Sequence, residues 1–363
     1  MTDTLRTDLM DLIQVPGLSG HEDRVRRALS ARLPGRPESD TLGNLWVTFD
    51  GDPKLPTVML FTHMDQLGFV VRKIETSGLI RLERLGGVPE RALAAQAVLI
   101  CVGEGRDVMG VIGTKSHHAT GPEEKYRVVP YQELNVDAGF TSATEAEAAG
   151  VRIGTPVVYA PRVLPLAGTR IAGTAIDDRA GCAVLLDVAR SLAARLSGPT
   201  VHLCFTVQEE FNLRGAQPLA QRLSPDVAVQ VDLMLATDTP DMADRGEMVV
   251  GGGPGLSLYS FHGRGTLNGV IPHPAVTALI ESTAARAGVS LQRSAQTGVL
   301  TDLSYVQLTG QGVACADVGF PIRYSHSALE VCDLADLLAL AELLKTMLAG
   351  IDGNFTLDRD AVT

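Results

Sequence analysis

The residues best suited to chemistry stand where apolar runs stop. Residues 57–62 form an apolar run that ends in His63-Met64-Asp65. Residues 201–207 run into Gln208-Glu209-Glu210, and the run from Val227 carries Asp232, with Asp238 farther on. Residues 313–320 are followed by Arg323 and His326, and the stretch 173–176 delivers Asp177-Asp178-Arg179 to a helix that starts near Ala180. Ligands of α/β sheets bind beyond the carboxyl ends of strands, so these groups recur on one side of the expected sheet. Imidazole and carboxylate without cysteine form a donor set for Zn²⁺ and similar divalent ions.

Each residue has a plainer reading. A lone histidine usually packs in a loop, and adjacent acids such as Asp177-Asp178 suit a solvated helix N-terminus. Glu209-Glu210 after an apolar strand, and Asp232 inside one, are unfavourable unless solvated or paired. A nearby cation compensates such charges, and the whole set, His326 included, points to a metal site.

The elements that must position these groups read as follows. Leu5, Leu9, Leu12 and Ile13 recur at helical spacing. Pro16-Gly17-Leu18 breaks that helix, and Ser19-Gly20-His21-Glu22 predicts a capping box for a second helix carrying Val25, Ala28 and Leu29. Strands are expected over 44–49, 57–62, 201–207, 227–235 and 313–320, and helices over 180–194, 274–287 and 333–351. From about residue 68 to 167 the texture changes to short β-rich pieces (69–74, 79–82, 97–102, 156–159) between Gly and Pro, with one short helix over 142–149. That stretch reads as a small inserted barrel, and the rest as a layered α/β domain with a parallel or mixed sheet. The domains expected are 1–66 with 168–363, and 67–167 as the insert. Residues 358–363 read as a loose tail.

Composition narrows the function. The chain has 363 residues, is 45% hydrophobic and carries a net charge of −11. Its length suggests two domains. Aromatics make up 4% with a single tryptophan, Trp46, which argues against a sugar-binding surface or a base-stacking platform. The acidic balance argues against nucleic-acid binding. The five cysteines form no C-x-x-C pair, so buried free thiols are expected, Cys182 and Cys204 in the core. No signal pattern opens the chain and no apolar run approaches the ~20 residues that span a bilayer, so a cytoplasmic protein without membrane contact is expected. His117-His118 reads as a surface or assembly feature, the Gly251-Gly252-Gly253-Pro254-Gly255 stretch as a flexible loop near the cleft, and the leucines of 334–344 as core.

The motifs GTAIDDRAG from Gly173, TVQEEFNLRGA from Thr206, FTHMDQLGFVV from Phe61, ATDTPD from Ala236 and RYSHSALE from Arg323 together resemble one family. It is the co-catalytic metallo-aminopeptidase family of tetrahedral aminopeptidases, glutamyl aminopeptidases and proteins once called endoglucanase M. LGGVPERAL, GVIGTKSHH and LNVDAGFTSATEAEAAGVRIG resemble its small β domain. The resemblance spans nearly the whole chain and implies a mixed-sheet three-layer α/β metallopeptidase domain with an inserted β-barrel-like domain that serves assembly. It implies that His63 and Asp232 hold one divalent ion, Glu210 and His326 the other, and Asp177 bridges both, with a cis peptide to Asp178. Glu209 would be the general base, and Asp65 would orient His63. Two ions (Zn²⁺, Co²⁺ or Mn²⁺) would lower the pKa of a shared water for hydrolysis of N-terminal residues from peptides. A dimer-based homo-oligomer, up to a dodecamer, is also implied. Two departures stand out: Gln66 where many relatives carry Glu, and Phe211-Asn212 where a small apolar residue and Gly are usual.

Two other classes compete with this reading. Paired carboxylates also serve glycoside hydrolysis, which the low aromatic content disfavours. A non-catalytic assembly protein on the same fold would lack a ligand or the base, and none is missing.

Overall fold

The computed structural model describes residues 2–195, 197–263 and 268–361. Four parallel strands form the centre of the main sheet, in the order Val201–Thr206, Val58–His63, Val227–Leu235 and Ala314–Ile322. Leu45–Phe49 pairs antiparallel outside the first, and Gly255–Phe261 antiparallel outside the last. Gly255–Phe261 also carries Gly269–Val270 and the parallel strand Gln292–Thr297. The sheet is therefore mixed, as expected.

Helices cover both faces. Val58, Leu60, Val227, Val229, Val201 and Leu203 point into the larger core, filled from the helices Thr2–Ile13, Asp23–Ser30, Ile176–Leu192, Pro274–Ala287 and Leu334–Ala349. The alternate residues Met59, Phe61, Ala228, Cys204 and Cys315 pack with Trp46 against the helices Ala216–Leu223 and Leu303–Val306. The period of two along a strand sends successive side chains to opposite faces, so helix, sheet and helix make three layers.

The second face changes character toward the strand ends. Met59 and Phe61 are followed by His63, Ala228 by Gln230 and Asp232, and Cys204 by Thr206. The same alternation that buries apolar side chains at one end of the strands thus places ionisable groups at the other.

A separate closed barrel is built from Gly68–Ile74, Ile80–Leu85, Val136–Asp137, Val108–Ile112, Ala97–Ile100 and Pro156–Tyr159, all paired antiparallel. Closure leaves no free edge. Its own core holds Phe69, Val71, Ile80, Val98, Ile100, Val136 and Val157. The chain then returns through a small sheet of Val163–Pro165, Arg170–Gly173 and Glu330–Asp333.

Some expectations need correction. Helix Asp23–Ser30 carries no side-chain cap. The Ser19 hydroxyl donates instead to Asp65, and the Glu22 carboxylate accepts from the backbone N–H of Gly20 and of Gln208. Tertiary partners therefore took both capping groups. The glycine-rich loop is held by Asp336, which accepts from the N–H of Gly251 (2.7 Å) and Gly253 (2.8 Å), and it does not line the cleft described below. The strands Val108–Ile112, Val136–Asp137, Gly255–Phe261 and Gln292–Thr297 were not anticipated, being short, glycine-bearing or polar. Of the tail, Arg359–Ala361 makes a turn, and 362–363 lie outside the described residues. The five cysteines are free, and the leucines of Leu334–Ala349 are core, as expected.

Candidate metal centre

The parallel strand Val58–His63 ends on His63, which is buried. Its Nε2 lies 3.0 Å from Asp177 Oδ1, and its Nδ1 lies 3.4 Å from Asp65 Oδ1. Asp65 is held on three sides. Oδ1 accepts the N–H of Glu209 (3.0 Å), and Oδ2 accepts the N–H of Glu210 (3.1 Å) and the Ser19 hydroxyl. One carboxylate thereby joins the loop after Val58–His63 to the loop after Val201–Thr206.

Asp177 stands at the entry to Ile176–Leu192, where Asp177 and Asp178 have non-helical dihedrals and the peptide between them is cis. Its second oxygen, Oδ2, faces His326 Nε2 at 3.3 Å. The carboxylate is therefore set between two imidazoles, one oxygen toward each. Glu210 Oε1 lies 3.6 Å from the same His326 nitrogen. His326 Nδ1 lies 3.1 Å from the Gly87 carbonyl of the barrel. A proton on Nδ1 directed at that carbonyl leaves Nε2 free as a ligand.

Two donor groups result. Asp177, Glu210 and His326 offer atoms within 4.8 Å of one another, and so do His63, Asp178 and Asp232. Both oxygens of Asp178 are engaged: Oδ2 accepts from the Thr62 hydroxyl and Oδ1 from the N–H of Gly181 at 3.0 Å. So are those of Asp232, whose Oδ1 accepts the N–H of Leu233 at 2.6 Å. Asp232 is steadied by Gln230, whose Nε2 donates to Oδ2 at 3.0 Å. Glu209, with 9% of its surface exposed, faces the same cleft without belonging to either group. Asp238, the other acid noted beyond Val227–Leu235, is turned away and pairs with Arg323 through two contacts of 2.7 and 2.6 Å.

The electrostatics fit a cation-binding centre. Burial pushes Glu210 and Asp232 up to about 7, and neighbouring Asp177 adds to it. Burial also drives Glu209 well above the usual carboxylate range, Asp232 and Glu210 adding and His63 opposing. Asp177 goes the other way: burial would raise it, but His326 and His63 hold it low. The two histidines are lowered by burial and raised more by these acids. Carboxylates crowded out of water need positive charge, and a donor set of two imidazoles with several carboxylates suits divalent ions.

The contacts of several supporting residues leave no mark in the sequence. Glu330 is 1% exposed, and its carboxylate accepts the N–H of Asp177 (3.0 Å) and of His326 (2.6 Å). Arg179 is buried and donates to the carbonyls of Met64 and Val15 and to Gln66 Oε1. The same Gln66 oxygen also accepts the N–H of Gly17. Asn212 has φ +66° and Leu213 φ +56°. Left-handed backbone favours glycine and tolerates asparagine best among other residues, which accounts for Asn212. Among the described residues eight non-glycine residues have positive φ, and six of them (Ala175, Gln208, Asn212, Leu213, Tyr324, His326) flank this centre, so backbone strain is concentrated where the candidate ligands are delivered.

The centre opens into a cleft of about 640 Å³ bordered by Gly86, Gly87 and Pro89 of the barrel and by Leu213, Leu233 and Val299 of the main domain. A larger hollow of about 970 Å³, lined by Ile271, Leu308 and Ala314, lies at the opposite strand ends, away from every one of these residues. His117 and His118 are exposed on the barrel side and do not line the cleft.

The chain is similar to known proteins in sequence and in fold. The family model described as M42 glutamyl aminopeptidase matches residues 43–343. SgcX of Escherichia coli (strain K12) is 37% identical over 100% of this chain and 98% of its own. The aminopeptidase APDkam598 from the archaeon Desulfurococcus kamchatkensis superposes with a TM-score of 0.89 at 32% identity, over 96% of this chain and 95% of that one. The TET1 peptidase of Pyrococcus horikoshii, described as able to assemble into a tetrahedron or a large octahedral shell, gives 0.85 at 27% identity, over 95% and 99%. A buried carboxylate and imidazole centre on this fold, with a family match across most of the chain, places the protein in the M42 glutamyl aminopeptidase family, as a metal-dependent aminopeptidase.

Proposed function

We propose that the chain removes N-terminal residues from peptides by hydrolysis at a centre of two divalent ions. The observation that carries this reading is Asp177, whose two oxygens face His63 and His326 separately. In this reading His63 and Asp232 hold one ion, Glu210 and His326 the other, and Asp177 both. When bound, Zn²⁺, Co²⁺ or Mn²⁺ ions lower the pKa of a water and polarise the scissile carbonyl.

The chain's own residues supply the remainder. Glu209 takes the proton of the attacking water on its carboxylate and returns it to the departing amine. Its buried setting, which holds its proton affinity high, suits that exchange. Asp65 orients His63 and fixes the backbone of Glu209 and Glu210. Asp178, tied to Thr62 and Gly181, holds the turn that presents Asp177. The acids beside the centre attract the free α-amino group of a peptide, which favours cleavage at the N-terminus.

The domain division follows the same reading: 1–66 with 168–363 for catalysis, and 67–167 for assembly. The assembly is a homo-oligomer built from dimers, up to a dodecamer, in the cytoplasm, without nucleic acid or membrane partners. Among the described residues no helix is long and apolar enough to cross a membrane.

Aminoacyl-p-nitroanilide hydrolysis by wild type and Glu209→Gln tests the assignment, with metal content measured on both. General-base loss should lower kcat about 10²–10⁴-fold while both ions are retained. Full activity in the variant would remove Glu209 from the mechanism.

A further inference from the structure

Behind the metal centre the sheet carries a polar row that hydrolysis does not use. Gln230, Asp317, Ser257 and Ser294 are register neighbours across four adjacent strands. Ser260 and Gln296 form the next pair along. These positions alternate with core residues such as Ala316 and Val318, where side chains of this type are unexpected unless they bind something.

Three of them have buried atoms without a protein partner. Asp317 is 2% exposed; its Oδ1 accepts from the Thr301 hydroxyl at 2.9 Å, and its Oδ2 has no partner. Gln296 Oε1 and Ser260 Oγ are likewise unpartnered, in side chains 7% and 5% exposed. All three residues line one small void of about 20 Å³, room for a single water-sized occupant. Among the described residues no lysine, arginine or histidine pairs with Asp317. Burial pushes its carboxyl up to about 7, as befits a negative charge without compensation.

We propose that Asp317, Gln296 and Ser260 form a binding pocket for one small monovalent cation behind the catalytic cleft. An oxygen-only set suits a hard cation, and Asp317, the one carboxylate of the three, matches a single positive charge. Two sources fit this chemistry. One is free K⁺ or Na⁺. The other, resting on the aminopeptidase reading, is the side-chain ammonium of an N-terminal lysine. Asp232, Leu233, Leu235, Val299 and Thr301 line both the void and the cleft, so the void adjoins the cleft where a substrate side chain would sit.

The test uses the metal-loaded enzyme in KCl, NaCl and tetramethylammonium chloride at equal ionic strength. Tetramethylammonium is too large for the void. If free ions bind, wild type melts higher in KCl or NaCl than in tetramethylammonium chloride, and Asp317→Asn melts alike in all three. If the lysyl ammonium binds, salt identity has no effect on melting. Asp317→Asn then lowers kcat/KM for lysyl-p-nitroanilide roughly tenfold, the scale of a hydrogen bond to a charged group, and spares leucyl-p-nitroanilide. Gln296→Leu repeats both arms should Asp317→Asn fold poorly. Equal melting of wild type in the three salts, with no selective loss on the lysyl substrate, overturns the proposal and leaves a water or a protonated carboxyl in the pocket. If wild type with bound divalent ions cleaves neither anilide, the aminopeptidase reading fails, and the salt arm alone decides the pocket.

Discussion

Glu330→Gln isolates the group that joins the two ligand-bearing loops. The carboxylate gives one oxygen to the N–H of Asp177 and the other to the N–H of His326. A glutamine keeps one acceptor and turns an NH₂ donor toward the other N–H. The abandoned N–H is buried, and such a group costs about 1–3 kcal/mol. His326 also has φ +68°, a conformation that costs about 1–3 kcal/mol unless its surroundings impose it. The bond from its N–H is one such restraint. Glu330 is itself fixed in the small sheet, where it pairs with Gly173, so the strand cannot shift to repair the loss. The expected result is a metal affinity lowered about 10–100-fold, as for other groups that orient ligands, with kcat/KM falling in parallel at limiting metal. Competition against a chelator of known affinity reads the first effect, and rates at saturating metal separate the second. Metal affinity within twofold of wild type would refute the idea that this carboxylate positions Asp177 and His326.

Two further predictions use the same geometry. Glu22→Gln should have the opposite outcome, because Gly20 and Gln208 both donate to one oxygen, Oε1, which glutamine retains. Burial, with Asp65 adding, raises Glu22 from 4.5 to about 7, so the folded state binds its proton more tightly than the unfolded chain. Wild type therefore loses stability as pH rises from about 4.5 to about 7, by at most about 3 kcal/mol. The variant should lack that slope and be the more stable form at pH 8, as judged by urea melts across pH; identical slopes would contradict the cause assigned. Gly181→Ala ought to stabilise an ordinary helix by about 1 kcal/mol. Here the new Cβ would lie 2.4 Å from both Asp178 Oδ2 and Thr62 Oγ1, so a loss of about 1–3 kcal/mol and release of metal are expected in denaturant melts and metal analysis. A stabilised variant would show that the turn at Asp178 is looser than described.

What could be read from sequence divides along a physical line. An apolar strand that ends on a charged residue leaves a local mark, which is why His63, Glu209, Glu210, Asp232 and His326 stood out and why the structure finds them facing one cleft. The parallel strands were legible for the same reason, since buried strands read as continuous apolar runs. Groups that hold other loops leave no such mark. Glu330 reaches Asp177 across 153 positions, and nothing near either residue announces the bond. Ser19 and Glu22 show a more instructive failure. Their spacing fits a capping box, but Asp65 and the N–H of Gln208 compete for the same atoms. A cap contributes about 1 kcal/mol, whereas leaving Asp65 or that N–H short of a partner inside the protein costs more. Asp317 and Gln230 interrupt apolar strands, but one polar residue in a run says little until its register neighbours are known.

The barrel is bound into the chemistry more closely than an inserted assembly module requires. Gly87, just past its strand Ile80–Leu85, supplies the carbonyl that fixes the His326 tautomer. A Cβ at Gly87 would stand 2.8 Å from His326 Nδ1, and one at Gly86 would stand 2.8 Å from Leu67 Cβ, beside Glu210. The two glycines are thus needed for closeness, so that barrel backbone can line the cleft directly. His326 therefore answers to three separate elements: Glu330 of the small sheet through its N–H, Asp177 through Nε2, and the barrel through Nδ1. A displacement of the barrel by even half the length of that last bond would leave Nδ1 without its acceptor and free the ring to turn. In the two-metal reading the position of the insert is consequently a variable of the centre, because any contact that fixes the barrel also fixes the ring of His326.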